Sequence, residues 1–62
     1  MVKGMRETIL EEADKRPEWH QYKTYSYAVQ MAIADSIYRD QNNLPEVPLE
    51  ELLKRYGARI AD

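Results

Sequence analysis

The chain has 62 residues with one histidine, no cysteine and a net charge of −2, so it is a single domain at most. Disulfides are excluded, and one imidazole without any thiol gives too few ligands for a structural zinc site. Because so short a chain buries little surface, we expect either very good helix packing or self-association, and we predict a homodimer.

The distribution of charge and hydropathy restricts the partners. The nine Lys and Arg residues are dispersed along the chain, whereas nucleic-acid-binding domains are usually basic overall. No apolar run approaches the roughly 18 residues of a membrane span, and the N-terminus has no signal-peptide core. We therefore expect a cytoplasmic protein without a membrane partner, and nucleic acid is not favoured.

Hydrophobic periodicity predicts an all-α fold, a single three-helix domain over residues 1–62. The helices are predicted at roughly 2–15, 17/25–41 and 48–60. In the first helix, one apolar stripe recurs at helical spacing: Val2, Met5, Ile9 and Ala13. Pro17 disfavours helical backbone angles for Arg16, so we expect this helix to end there.

The second predicted helix is the longest and most apolar. On a helical wheel its apolar side chains fall on two sides, Val29, Ile33 and Ile37 on one and Tyr27, Met31, Ala34 and Tyr38 on the other. Between them runs a row of small residues, Ala28, Ala32 and Ser36. A helix that is apolar on two faces is packed from both sides. We therefore predict that this helix is central and that another backbone approaches its small row closely.

The third predicted helix follows Pro48, which suits a first helical position. Its apolar stripe has helical spacing throughout: Leu49, Leu52, Leu53, Tyr56 and Ile60. Gly57 either caps this helix or lies within it.

The stretch PEWHQYKTYSYAV, residues 17–29, allows two interpretations. Extending the wheel backwards places Trp19 and Tyr22 on the side of Ile33, and His20 on the opposite side, which favours a helix or a kinked helix through to residue 41. Against this, polar and apolar residues alternate from Thr24 onward, which is typical of a strand. Such a strand has no partner within the chain and would need to pair across a dimer.

The strand interpretation carries an alternative function. A strand followed by two helices and paired across a dimer resembles the ribbon-helix-helix repressors, whose strand side chains read the DNA major groove. The resemblance covers about residues 22–60 and implies a dimeric DNA-binding regulator using residues 23–30, with Lys23 or Thr24, Ser26 and Gln30 on the DNA. This chain departs from the family in its preceding helix, its acidic charge, and Val47 and Pro48 where the family has a small polar phosphate contact.

No pattern in the sequence predicts catalysis. His20 has no nucleophile or orienting carboxylate in a recognisable arrangement, and the two glycines are isolated, so there is no phosphate-binding loop. We expect the carboxylates to lie on solvated faces: Glu11, Glu12, Asp14, Asp35 and Asp40. We predict a protein that is not an enzyme and has no catalytic residue, metal site or cofactor.

The aromatic cluster is the candidate site. Trp and Tyr are enriched at interface hot spots because they bury a large area and keep a polar group. We predict a small protein–protein interaction module, an inhibitor, antitoxin-like or regulatory protein, that docks on a protein partner. The predicted partner-binding residues are Trp19, His20, Tyr22, Tyr25 and Tyr27. The aromatic residues could instead form one end of the core, or stack on nucleic-acid bases, for which the flanking positive charges are too few.

Overall fold

The computed structural model describes residues 4–58, and all regular structure in this range is helical. The elements are α1 (Met5–Asp14), the 3₁₀ helix η1 (Pro17–Thr24), α2 (Tyr27–Gln41) and α3 (Leu49–Arg55). The all-α prediction is confirmed for this part of the chain, where none of the helices is long and apolar enough to cross a membrane. Val2 and Ile60, at the ends of two predicted stripes, lie outside the described residues.

Prolines set two of the helix boundaries. Arg16 has extended backbone angles, φ −103° and ψ 121°, as expected for a residue that precedes proline. Pro17 lies in the first turn of η1. A backbone N–H at this position has no partner within the helix, so proline loses no hydrogen bond there. Pro48 is the N-cap of α3, so that helix begins one residue later than predicted.

Residues 17–41 do not form one continuous helix. Tyr25 and Ser26 have extended backbones, with ψ 164° and 154°, and separate η1 from α2. The strand considered for residues 23–30 is not formed either, so the strand interpretation of this segment was wrong. No other strand occurs in residues 4–58 to pair with it, and the Gln30 N–H instead donates an α-helical bond of 2.9 Å to the Ser26 carbonyl.

Two helices end in a left-handed residue that closes the last turn. Gly57 has φ 68°, and the next N–H, from Ala58, donates to the Leu53 carbonyl at 2.9 Å. Asn43 has φ 53° after α2, and Leu44 makes the equivalent bond at 2.9 Å. Both are Schellman motifs, which satisfy carbonyls that a helix end leaves free. Gly57 therefore caps α3, one of the two roles predicted for it.

The central helix is covered on two sides. One core cluster joins α1, η1 and α2 through Ile9, Ala13, Trp19, Met31 and Ala34. A second joins α2 to α3 through Ala32, Leu52 and Leu53. Ala32, the middle of the small row, is fully buried beneath the two leucines, so the absence of a large side chain there is what lets α3 lie close.

Polar contacts hold the C-terminal ends of α1 and α2 together. The Gln41 side-chain amide donates to the Glu12 carbonyl. The Arg16 guanidinium, just after α1, lies 3.2 Å from the Asp40 carboxylate. These contacts fix where η1 begins, and thereby how the aromatic stretch lies against α2.

Candidate functional site

Three aromatic residues of the candidate site form a row. Trp19, Tyr22 and Tyr25 are three residues apart, and a 3₁₀ helix has about three residues per turn, so they lie above one another. The ring centroids of Trp19 and Tyr22 are 6.1 Å apart, and those of Tyr22 and Tyr25 are 5.7 Å apart, edge to face. Such separations are favourable for aromatic pairs. Because the residue spacing matches the 3₁₀ period, the three aromatic rings form one continuous row of contacts.

One end of this row is in the core. Trp19 is only 2% exposed and packs with Ile9, Met31 and Ala34. Tyr22 is half-buried and packs against the edge of the same cluster. We predicted Trp19 as a partner-binding residue, but in this conformation no partner reaches its ring. Trp19 is therefore part of the core and not of an exposed docking surface.

The other end of the row is exposed. Tyr25 is 50% exposed and Tyr27 57% exposed. Tyr25 stands at the break between η1 and α2, and Tyr27 is the first residue of α2. We call these two residues the tyrosine patch.

The backbone beneath the tyrosine patch is held by one side chain. The Gln30 amide donates hydrogen bonds to the Lys23 carbonyl at 3.2 Å and to the Tyr25 carbonyl at 2.7 Å. Ser26 is the N-cap of α2 but makes no side-chain cap. Gln30 reaches back across the break from the first turns of α2, so it fixes the angle at which the chain leaves η1.

Charged groups beside the aromatic row are paired within the chain. Lys23 lies 3.5 Å from the Asp14 carboxylate, and Arg16 lies 3.1 Å from that of Glu18. A backbone hydrogen bond and the Arg16 guanidinium lower the pKa of the Glu18 carboxyl, against a smaller effect of burial. His20 is exposed, on the next row of η1 together with Lys23. The surroundings of the patch are thus polar but locally neutralised.

A partly buried polar network, centred on the buried Asp35, links α2 to α3. Asp35 is 7% exposed, and its carboxylate accepts a bond from Arg39 Nε at 2.8 Å and one from the Tyr56 hydroxyl at 2.5 Å. Burial, then the hydrogen bond to Asp35, raises the pKa of Tyr56 to about 12. Both carboxylate oxygens thus have a charge-assisted partner.

The expectation that Asp35 lies on a solvated face was wrong. Its spacing to Arg39 is that of an i,i+4 pair, and it stands in a helix with two buried apolar faces. These two features could have indicated from the sequence that Asp35 is buried and paired, since a carboxylate on a buried helix face needs a partner. The second partner, Tyr56, is 21 residues away in sequence.

A groove crosses α2 between η1 and the segment that leads into α3. It consists of two cavities of about 620 and 320 Å³ that meet at Ser36 and Ile37, which line both. Its apolar lining is Tyr22, Ile33, Ile37, Leu44, Val47 and Leu49. Charged side chains of both signs surround it: Arg16, Glu18, Arg39, Asp40 and Glu46. We call this the α2 groove.

Comparison with protein-family models, curated proteins and solved structures gave no match. Within residues 4–58, no group of three or more His, Cys, Asp or Glu side chains is placed to hold a metal ion.

Proposed function

We propose that the protein is a small non-enzymatic interaction module that docks on a protein partner through the tyrosine patch. The observation that carries the proposal is the exposure of both Tyr25 and Tyr27 at a break that Gln30 holds in place. Tyr22 supports the patch through its edge-to-face contact with Tyr25. His20 is a flanking polar contact.

The physical chemistry of tyrosine supports this assignment. A tyrosine ring buries a large area on binding and keeps a hydroxyl that finds a hydrogen-bond partner. It has few side-chain torsions to immobilise, so the entropic cost of docking is low. Because Gln30 already fixes the backbone, little ordering remains to oppose binding.

The kind of module is an inhibitor, an antitoxin-like protein or another regulator, by analogy with other small helical proteins. We include a homodimer and a cytoplasmic location in the proposal. The homodimer is supported by the lack of cysteines in a chain of 62 residues, since small domains without such covalent links often depend on a partner subunit. We do not propose the ribbon-helix-helix alternative, because residues 23–30 do not form the strand that would read DNA.

A comparative pull-down from host lysate tests the proposal. The bait proteins are wild type, the double variant Tyr25→Ala/Tyr27→Ala, and Met5→Ala as a control. Met5 is 65% exposed on α1, so the control removes an exposed apolar side chain from outside the patch. Circular dichroism verifies that all three are equally helical, and nuclease treatment removes captures that depend on nucleic acid.

We expect a protein that wild type and Met5→Ala capture and the double variant does not. Identification by mass spectrometry followed by titration with the purified partner would then give the affinity lost. Equal capture by all three baits would contradict docking through the tyrosine patch. Capture that disappears after nuclease treatment would contradict a protein partner.

A further inference from the structure

We propose that residues 44–48, Leu-Pro-Glu-Val-Pro, form a polyproline II ligand for a protein domain with an aromatic-lined groove and basic residues beside that groove. The segment joins α2 to α3 and has no helix or strand structure. Its two prolines are three residues apart, which is the Pro-x-x-P spacing that such domains bind. The segment shares no residue with the tyrosine patch, so this inference goes beyond the function proposed above.

The backbone of residues 44–48 favours polyproline II geometry. Pro48 has φ −55° and ψ 139°, close to the polyproline II values of about −75° and +145°. The ring of Pro45 holds φ at about −65°, and Leu44 and Val47 each precede a proline, which disfavours helical angles for them. Within residues 4–58, the carbonyls of residues 44–47 accept no hydrogen bond, as in a polyproline II helix, so they are available to the donors of a partner.

The surroundings of the segment follow a period of three residues, as in polyproline II, which has three edges. Leu44 and Val47 lie on one edge, and both line the α2 groove. Glu46, on the second edge, also lines it. The third edge carries Pro45 and Pro48, which line neither cavity and are both exposed. Two edges therefore border the groove, and the proline edge is open to a partner.

Both ends of the segment are held by helices. At its start, the Leu44 N–H donates to the Arg39 carbonyl at 2.9 Å. At its end, the Pro48 carbonyl accepts the first two hydrogen bonds of α3, at 3.0 and 3.2 Å. Between them, Val47 packs against the core cluster that joins α2 to α3. A segment that is already held in its bound conformation loses little entropy on docking.

The charges beside the prolines favour a basic partner. Glu46 and Glu50 are exposed and make no ion pair within the described part of the chain. The sequence has no Lys or Arg from Asp40 to Leu53. A domain with Lys or Arg beside its aromatic groove complements this charge, whereas a domain with an acidic flank is repelled. The sign of the charge therefore distinguishes among domains that bind proline-rich segments.

Binding to a panel of purified proline-recognition domains tests the proposal. All have aromatic grooves, half with basic and half with acidic residues beside the groove. Full-length wild type is compared with Pro45→Ala/Pro48→Ala, with Glu46→Lys, and with Pro17→Ala as the matched control, since Pro17 is the remaining proline and is also exposed. Circular dichroism verifies that all four proteins are equally helical. Isothermal titration calorimetry measures the affinities, and a proline-rich peptide that occupies each groove serves as competitor.

We expect wild type and Pro17→Ala to bind at least one domain with a basic flank, in competition with the peptide. The double proline variant should bind that domain at least about tenfold more weakly. Glu46→Lys changes only an exposed side chain, and it should also weaken binding. Absence of binding to every domain of the panel would overturn the proposal. So would an unchanged affinity of the double proline variant, or a preference for grooves with an acidic flank.

The two proposals fail independently. The Tyr25→Ala/Tyr27→Ala variant should bind the same domain with the affinity of wild type, because the tyrosine patch lies outside residues 44–48. If that variant alone lost binding, the domain would dock on the tyrosine patch, and the assignment to residues 44–48 would be overturned.

Discussion

The two ends of the aromatic stretch have similar side chains and opposite environments. Trp19 is 2% exposed in the core, whereas Tyr27, eight positions later, is 57% exposed. Residue type does not decide this difference, because tryptophan and tyrosine suit both cores and interfaces. Position relative to the break at Tyr25 and Ser26 decides it. The stretch therefore combines a residue for stability with residues available for recognition.

Substitution at each end gives the largest expected contrast. Trp19→Ala should cost about 3–5 kcal/mol in the free energy of unfolding, which is the usual result for a buried Trp. Because small domains have little stability to lose, we expect this variant to be largely unfolded. Tyr27→Ala should change the same quantity by less than about 0.5 kcal/mol. Urea denaturation followed by circular dichroism measures both.

A folded Trp19→Ala protein with near-normal stability would show that the wild-type core does not depend on this ring. A strongly destabilised Tyr27→Ala protein would show that the exposed tyrosine is structural. Either result would remove the distinction between the two ends.

Tyr56 is a useful comparison with the tyrosine patch, because its hydroxyl is hydrogen-bonded to the buried Asp35 carboxylate, whereas Tyr25 and Tyr27 are exposed. Tyr56→Phe removes one partner of the Asp35 carboxylate, which keeps its bond to Arg39. We expect a loss of about 1–3 kcal/mol at neutral pH, the usual cost of leaving a buried polar group short of a partner. Tyr25→Phe is the matched control, and its exposed hydroxyl should matter far less.

The same variant tests the pH dependence of stability. The pKa of Tyr56 is raised from 10.0 to about 12 in the folded protein, so folding favours the protonated phenol. Its contribution is fully present below pH 10, and it is lost as the pH rises through about 12. The stability difference between wild type and Tyr56→Phe should therefore shrink across that window. A difference that stayed constant would contradict the raised pKa.

The sequence predicted the parts of this fold that depend on local rules. Apolar spacing identified Ile9 and Ala13 as core residues of α1, and Pro17 placed the end of that helix. Met5, predicted in the same stripe, is exposed in the structure. Gly57 was recognised as a possible cap. Each of these follows from a few neighbouring residues, which is why a single sequence suffices.

The parts that could not be predicted depend on the phase between elements. The helical wheel placed Trp19 with Ile33; in the structure Trp19 shares a core cluster with Met31 and Ala34, from the other side of the wheel, and Ile33 also packs against this cluster. The wheel assumed about 3.6 residues per turn throughout, whereas η1 has a period near three and the break at Tyr25 resets the phase. For the candidate site, the sequence left both environments open, core or docking surface, and could not assign Trp19 to the first and Tyr25 and Tyr27 to the second.

The Gln30→Ala substitution tests whether loosening the backbone at the tyrosine patch also disturbs the packing of Trp19. The substitution removes both side-chain bonds across the break, and the better helix propensity of alanine offsets part of the loss. We therefore expect less than about 1 kcal/mol of destabilisation. Gln21→Ala, at an exposed position of η1, is the matched control.

Hydrogen exchange and tryptophan fluorescence distinguish the two possibilities. If Gln30 holds only the tyrosine patch, amide exchange should accelerate around Tyr25 and Tyr27 while Trp19 emission stays as in wild type. A red-shifted emission would mean that water reaches the indole when the break loosens. Motion at the tyrosine patch would then reach Trp19 through the 3₁₀ helix. In that case, a partner that binds Tyr25 would also change the stability of the core.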